Sequence, residues 1–145
     1  MKQRGFSLLE VLVALLVVSI GLLGLAGLTA ASIKNNQSAY QRSVASWLAY
    51  DILDRMRANS AAAQLGGYNI AYGAPSAGAG MALTDLTEWK QQLAASLPSG
   101  DGEIVLAGGV STIRVRWNDT RGLGTLNSQG YVGNSAQSLA ISSQL

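Results

Sequence analysis

Glu10 is the only charged side chain between Arg4 and Lys34, and it stands in a run of leucines and valines. A carboxylate carried to bilayer depth costs on the order of 3 kcal/mol or more, so a residue in that position is a functional candidate by default. Few other residues offer chemistry. The 145-residue chain has no histidine and no cysteine, which removes the usual general base, the commonest metal ligand and any disulfide. No Ser-Lys or paired-carboxylate motif stands in a convincing context, so the expectation is a non-enzyme without a cofactor. Asp101, Glu103 and Asp119 are the candidates for a calcium site. Calcium takes about six to eight oxygen ligands, and acids solvated at turns are the simpler account, so no metal is expected. Arg114 and Arg116, beside Trp117, are the candidates for a nucleic-acid contact. Lys2 and Arg4 account for the whole formal charge of +2; without them eight basic side chains face eight acidic ones. No nucleic-acid partner is expected on that balance, and arginines that keep an exposed strand face or edge soluble explain the pair more simply.

The element that carries Glu10 is apolar. From Val11 to Ile33 there are 23 residues without a charge, enough to cross a hydrocarbon core of about 30 Å as a helix. A plain signal anchor is one explanation. A secretory signal removed after its apolar stretch fits poorly, because the run is too long and residues 26–32 pass straight into a helical pattern. Basic residues flank the run on both sides, Lys2 and Arg4 before it and Lys34 and Arg42 after it, so loop charge does not fix the orientation. A short basic N-terminus ending at the membrane favours the cytoplasmic side for that end.

The stretch RGFSLLEVLVALLVVSIGLLGLAGL resembles the class III leader and N-terminal helix of type IV pilins and pseudopilins. The resemblance implies a membrane prepilin peptidase that cuts between Gly5 and Phe6, before the apolar segment, and N-methylation of the new Phe6 amine. It makes Glu10 the assembly glutamate. Elementary physics agrees with that role. Cleavage creates a cationic amine four residues before Glu10, on the same helix face, and a carboxylate in the first turn is favoured by the helix dipole. The partner is then the chain's own amine or that of a neighbouring subunit; the competing account is a glutamate that merely snorkels to the interface. Gly21, Gly24 and Gly27 lie in the same segment, each costing about 1 kcal/mol relative to alanine in a helix interior. They serve either close helix packing or a deliberately soft helix, in a place where the resembling family commonly has a proline.

Beyond Thr29 the pattern turns amphipathic. Ile33, Tyr40, Val44, Trp47, Leu48, Ile52 and Met56 recur at helical steps, which predicts that Trp47 and Leu48 lie under a globular domain. One helix from Phe6 to about Asn59 is predicted, about 80 Å long at the standard rise. Asp51 with Arg55, and Asp54 with Arg57, are spaced for surface ion pairs. The segment DRMRAN that ends the helix is similar to PilV-type minor pilins. Residues 64–81, rich in Gly, Ala and Ser, read as a loop anchored by Tyr68 and Tyr72. Asp85 and Glu88 have the spacing of a helix-start capping box, followed by Leu86, Trp89, Leu93 and Leu97 on one face. EIVLA and VSTIRVRW, joined at Gly108-Gly109, read as a β-hairpin with Ile113, Val115 and Trp117 on one side and Arg114 and Arg116 on the other. Weaker strand signals surround Tyr131-Val132 and Leu139 to Ile141.

The expected fold class is α+β, a type IV pilin fold with a long helix packed on a small antiparallel sheet. The expected organisation is a leader at 1–5, a membrane half of the helix at 6–33, an amphipathic half at 34–60 and a globular domain at 61–145. The resemblance implies a minor pilin of the type IV pilus or its initiation complex, placed first in the bacterial inner membrane with a periplasmic C-terminal domain and then in the pilus. Its partners would be the prepilin peptidase and other minor and major pilins. The alternatives are a type II secretion pseudopilin, or a membrane-anchored binding module without an assembly role.

Overall fold

The computed structural model describes residues 7–122, 125–127, 130–132 and 134–144. One helix, α1, runs from Leu8 to Ala58. Ser7 starts it: extended itself, it accepts the Glu10 N–H on its side-chain oxygen at 3.4 Å and on its carbonyl at 3.0 Å, a standard way of satisfying the unpaired donors of a first turn. The helix continues through Gly21, Gly24 and Gly27 and ends at Asn59, whose N–H returns to the Arg55 carbonyl at 3.0 Å. A five-residue helix, α2 (Ser60–Gln64), follows, and then a loop to α3 (Gly80–Ser96).

The buried face of α1 begins only at Ser38 and continues through Gln41, Ala45, Leu48, Ala49, Ile52, Leu53 and Met56. This corrects the predicted stripe. Leu48, Ile52 and Met56 belong to it, but Trp47 is 64% exposed and Tyr40 67% exposed. The physical reason lies in α3. Its Trp89 is fully buried and donates its indole N–H to the Leu48 carbonyl at 2.9 Å, in the same core that buries the small Ala45 and Ala49 of α1. A second correction concerns α3 itself. It starts at Gly80, five residues before Asp85, so Asp85 is a buried interior residue and not an N-cap. Gly80 and Met81 accordingly belong to the helix and not to the loop. The predicted face of Leu86, Trp89, Leu93 and Leu97 is buried as expected.

Strands β1 (Asp101–Ala107), β2 (Val110–Asp119) and β5 (Asn134–Gln144) form an antiparallel sheet in the order β1-β2-β5. Gly108 and Gly109 turn the first hairpin with φ of 58° and 78°, the left-handed pair that a two-residue turn demands. Ile113 stands opposite Ile104 on one side and Ile141 on the other. Ile104, Ile113, Val115 and Trp117 are buried against the helices. Gly102 is needed for a different reason: a Cβ there would lie 2.2 Å from the Trp89 ring. Between β2 and β5, β3 (Thr125–Asn127) and β4 (Gly130–Val132) make a separate two-stranded hairpin. The C-terminal strand signal was therefore read too short, since β5 is the full-length third strand. The fold is α+β, a long N-terminal helix on a small antiparallel sheet, consistent with the type IV pilin fold.

Candidate functional site

From Leu8 to Leu28 the large apolar side chains of α1 are all exposed, and this helix is long and apolar enough to cross a membrane. A segment apolar on every side has no soluble face to present, and lipid or other apolar helices are its natural surroundings. Glu10 sits in the first turn of that segment, where it lines a shallow groove with Val11, Ala14, Leu15 and Val18. Its backbone N–H is held by Ser7. Ser7-x-x-Glu10 has the spacing of a capping box, a signal in the sequence that the expected start at Phe6 does not use. Gly5 and Phe6, the expected cleavage and methylation residues, lie outside the described residues.

The three acids that calcium would need are not brought together. Asp101 pairs with Lys90 and, at 3.0 Å, with Arg116, and it accepts the Gly73 N–H at 2.7 Å. Glu103 pairs with Arg114 at 2.6 Å. Asp119 departs from the expected solvated turn acid: it is buried, its carboxylate meeting the Ser38 hydroxyl and pressed against Gly122. Among the described residues no three metal-ligating acidic side chains cluster. Arg114 and Arg116 do lie on the exposed face, but on the central strand and not at an edge, and each already has a carboxylate. Arg116 also stacks over the Tyr72 ring, 4.2 Å from its centroid, which anchors the loop as predicted. Burial would raise the Asp101 carboxyl, yet the hydrogen bonds from Lys90, Gly73 and Gly102 outweigh it and hold the group below its ordinary value.

A second polar cluster joins α1 to α3. Arg55 bonds Asp51 at 3.0 Å, as its spacing predicted, and also Asp85 at 3.3 Å and Glu88 at 2.7 Å. Glu88 above all raises the guanidinium further. Buried Tyr68 donates to the other Asp85 oxygen, and Asn59 donates to the Tyr68 oxygen at 3.1 Å. Burial first, and then the Asp85 carboxylate, pushes the phenol up. These contacts span up to 33 residues, which is why local spacing misread Asp85 and Glu88 as a cap. They make a clamp between α1 and α3, each group bonded to another side chain of the fold.

Residues 1–26 match the family model described as the prokaryotic N-terminal methylation motif. The chain carries a prepilin-like methylation segment. This segment covers Lys2 and Arg4, the Gly5–Phe6 bond, Glu10 and most of the apolar run. The chain matches none of the curated proteins and none of the solved structures. A methylation segment of this kind implies processing by a prepilin peptidase and partners of the pilin type, and it agrees with membrane anchoring through the helix that follows it.

Proposed function

We propose that this chain is a minor pilin: a structural subunit of the type IV pilus or of its initiation complex, cut between Gly5 and Phe6 and methylated on Phe6. The observation that carries this reading is the methylation segment running without a break into a helix that is first exposed and apolar, then embraced by a sheet domain from Ser38 onward. In it residues 1–5 are the leader, 6–33 the membrane and assembly half, 34–60 the amphipathic half and 61–145 the globular domain. The precursor sits in the inner membrane with its N-terminus cytoplasmic and its globular domain periplasmic. After cleavage Glu10 has a cationic amine within reach, most usefully on a neighbouring subunit. The segment DRMRAN, in which Arg55 is the clamp residue, favours a PilV-type minor pilin over a type II secretion pseudopilin. The test is incorporation. The chain with Glu10 intact should be recovered, in its cut form, in sheared pili together with other pilins, and recovery only in a secretion complex would replace the first reading by the second.

A further inference from the structure

The ladder register decides where each backbone group of β5 points. Ile104 and Ile70 exchange both backbone hydrogen bonds, at 2.8 and 3.0 Å, so Ile104 turns its N–H and C=O away from β2. Residues of an antiparallel ladder alternate between facing a partner strand and facing away from it. Ile113, opposite Ile104, therefore directs its groups to β5, where it meets Ile141. The Asn118 N–H, one odd step out of phase, reaches the Pro98 carbonyl on the β1 side, as this alternation requires. It follows that Leu139 and Ile141 point their backbone groups into the sheet, while Ser138, Ala140 and Ser142 point theirs out of its free edge.

The two edges are treated differently. Ile70 covers β1 at its centre, and Asn69 takes the Leu106 N–H at 2.8 Å. The β5 edge from Ser138 to Gln144 has no such cover among the described residues, and the bulge of the strand lies before that stretch, where the β2–β5 register shifts between Trp117 and Asp119. From Asn134 to Gln144 there is no charge, proline or glycine. On the helix side Leu139 and Ile141 are only half-buried at the rim of the core. On the other side Ser138, Ala140 and Ser142 are small, and the arginines next to them are already neutralised by Glu103 and Asp101.

We propose that β5 accepts one further strand, donated by a different subunit of the same assembly. The donor is uncharged and carries apolar residues at alternate positions, where they cover Leu139 and Ile141. A charged strand would find no free counter-ion along this edge. Two pairings with a second copy are excluded by geometry. Antiparallel pairing of two β5 edges has its two-fold axis normal to the sheet, which reverses α1 packed on that sheet, so the two apolar halves could not enter one bilayer from the same side. Parallel addition to the β1 of a second copy is blocked by Ile70. That the donor is a pilin-type subunit rests on the proposed function; the open edge does not.

The experiment uses the full-length chain in its host membranes, with photoreactive benzoylphenylalanine in place of Ser138 or Ser142. Light should give an adduct with a different protein that carries its own methylation segment. Ala140→Pro deletes an edge N–H while leaving the β2 ladder intact and should lower the adduct about ten-fold or more. Ala140→Ser keeps the N–H and should preserve it. If the proline variant fails to fold by thermal melting, Ala140→Lys, which keeps the N–H but places a charge on the strip, should show the same loss. The proposal is overturned by no adduct, by a homodimer, by an adduct only with a protein lacking such a segment, or by one that Ala140→Pro or Ala140→Lys leaves at parental levels. The N-terminal mass measured on the same membranes tests the pilin reading separately, since an uncut chain would sink that reading whatever the adduct.

Discussion

A carboxylate in an apolar helix needs a reason to remain there, and at the scale of single residues Glu10 supplies the sharpest test. Glu10→Gln keeps size and polarity but removes the charge, whereas Glu10→Leu makes membrane residence easier. If the charge recognises a processed amine, both variants should be cleaved normally and retained in the membrane, yet be depleted from sheared pili and from crosslinks to other pilins. Wild-type incorporation of Glu10→Leu would leave Glu10 a bystander at the interface. Asp101 makes a prediction in solution. Its folded carboxyl titrates below the ordinary value of 3.8, so the unfolded chain binds its proton first as pH falls. The stability it contributes is present above that ordinary value and is lost as pH drops through the depressed one. Urea midpoints at pH 7 and pH 3 should therefore differ less in Asp101→Asn than in the parent. An equal difference would mean that the Lys90 and Gly73 contacts carry no linkage.

At the scale of elements, α1 is where sequence and structure agree on extent and disagree on face. Its start at the Ser7 cap was missed, but its end and its passage through three glycines were legible because periodicity and the absence of breakers after Gly27 are local signals. The buried face was not, because the largest residues, Tyr40 and Trp47, are exposed while small and polar Ser38, Gln41 and Ala45 are covered. Tertiary contacts decide that choice, among them Trp89 of α3 on the Leu48 carbonyl, 41 residues away, and Asp119 of β2 on Ser38. Leu48→Ala should cost about 2–5 kcal/mol by the cavity it opens, whereas Trp47→Ala should change stability by no more than about 0.5 kcal/mol. Denaturant unfolding of the two variants checks the assignment, and a large loss for Trp47 would put the sheet on the other face. The hairpin at Gly108-Gly109 and the alternation through Trp117 were readable, since turn chemistry and a period of two are local. Strand β5 was legible only in its apolar centre, because its flanks are serines and glutamines that gain strand structure only from pairing with β2.

For the whole molecule, the methylation segment and the fold divide the account between them. The segment says how the N-terminus is treated; the fold says that α1 must survive that treatment, since its second half is the core of the globular domain. A cut after the apolar run would detach the domain from its anchor, and one far into α1 would remove the buried face from Ser38 onward. The assignment of Gly5 and Phe6 rests on the motif alone, while the clamp of Arg55, Asp85 and Tyr68 needed three-dimensional contacts. The central claim is thus a statement about one bond. Mass spectrometry of the N-terminal peptide from the membrane form tests it most directly. The account predicts a mature chain beginning at methylated Phe6, and a full-length precursor when a bulky residue replaces Gly5. A native N-terminus at Met1, or one beyond Ala30, would contradict it.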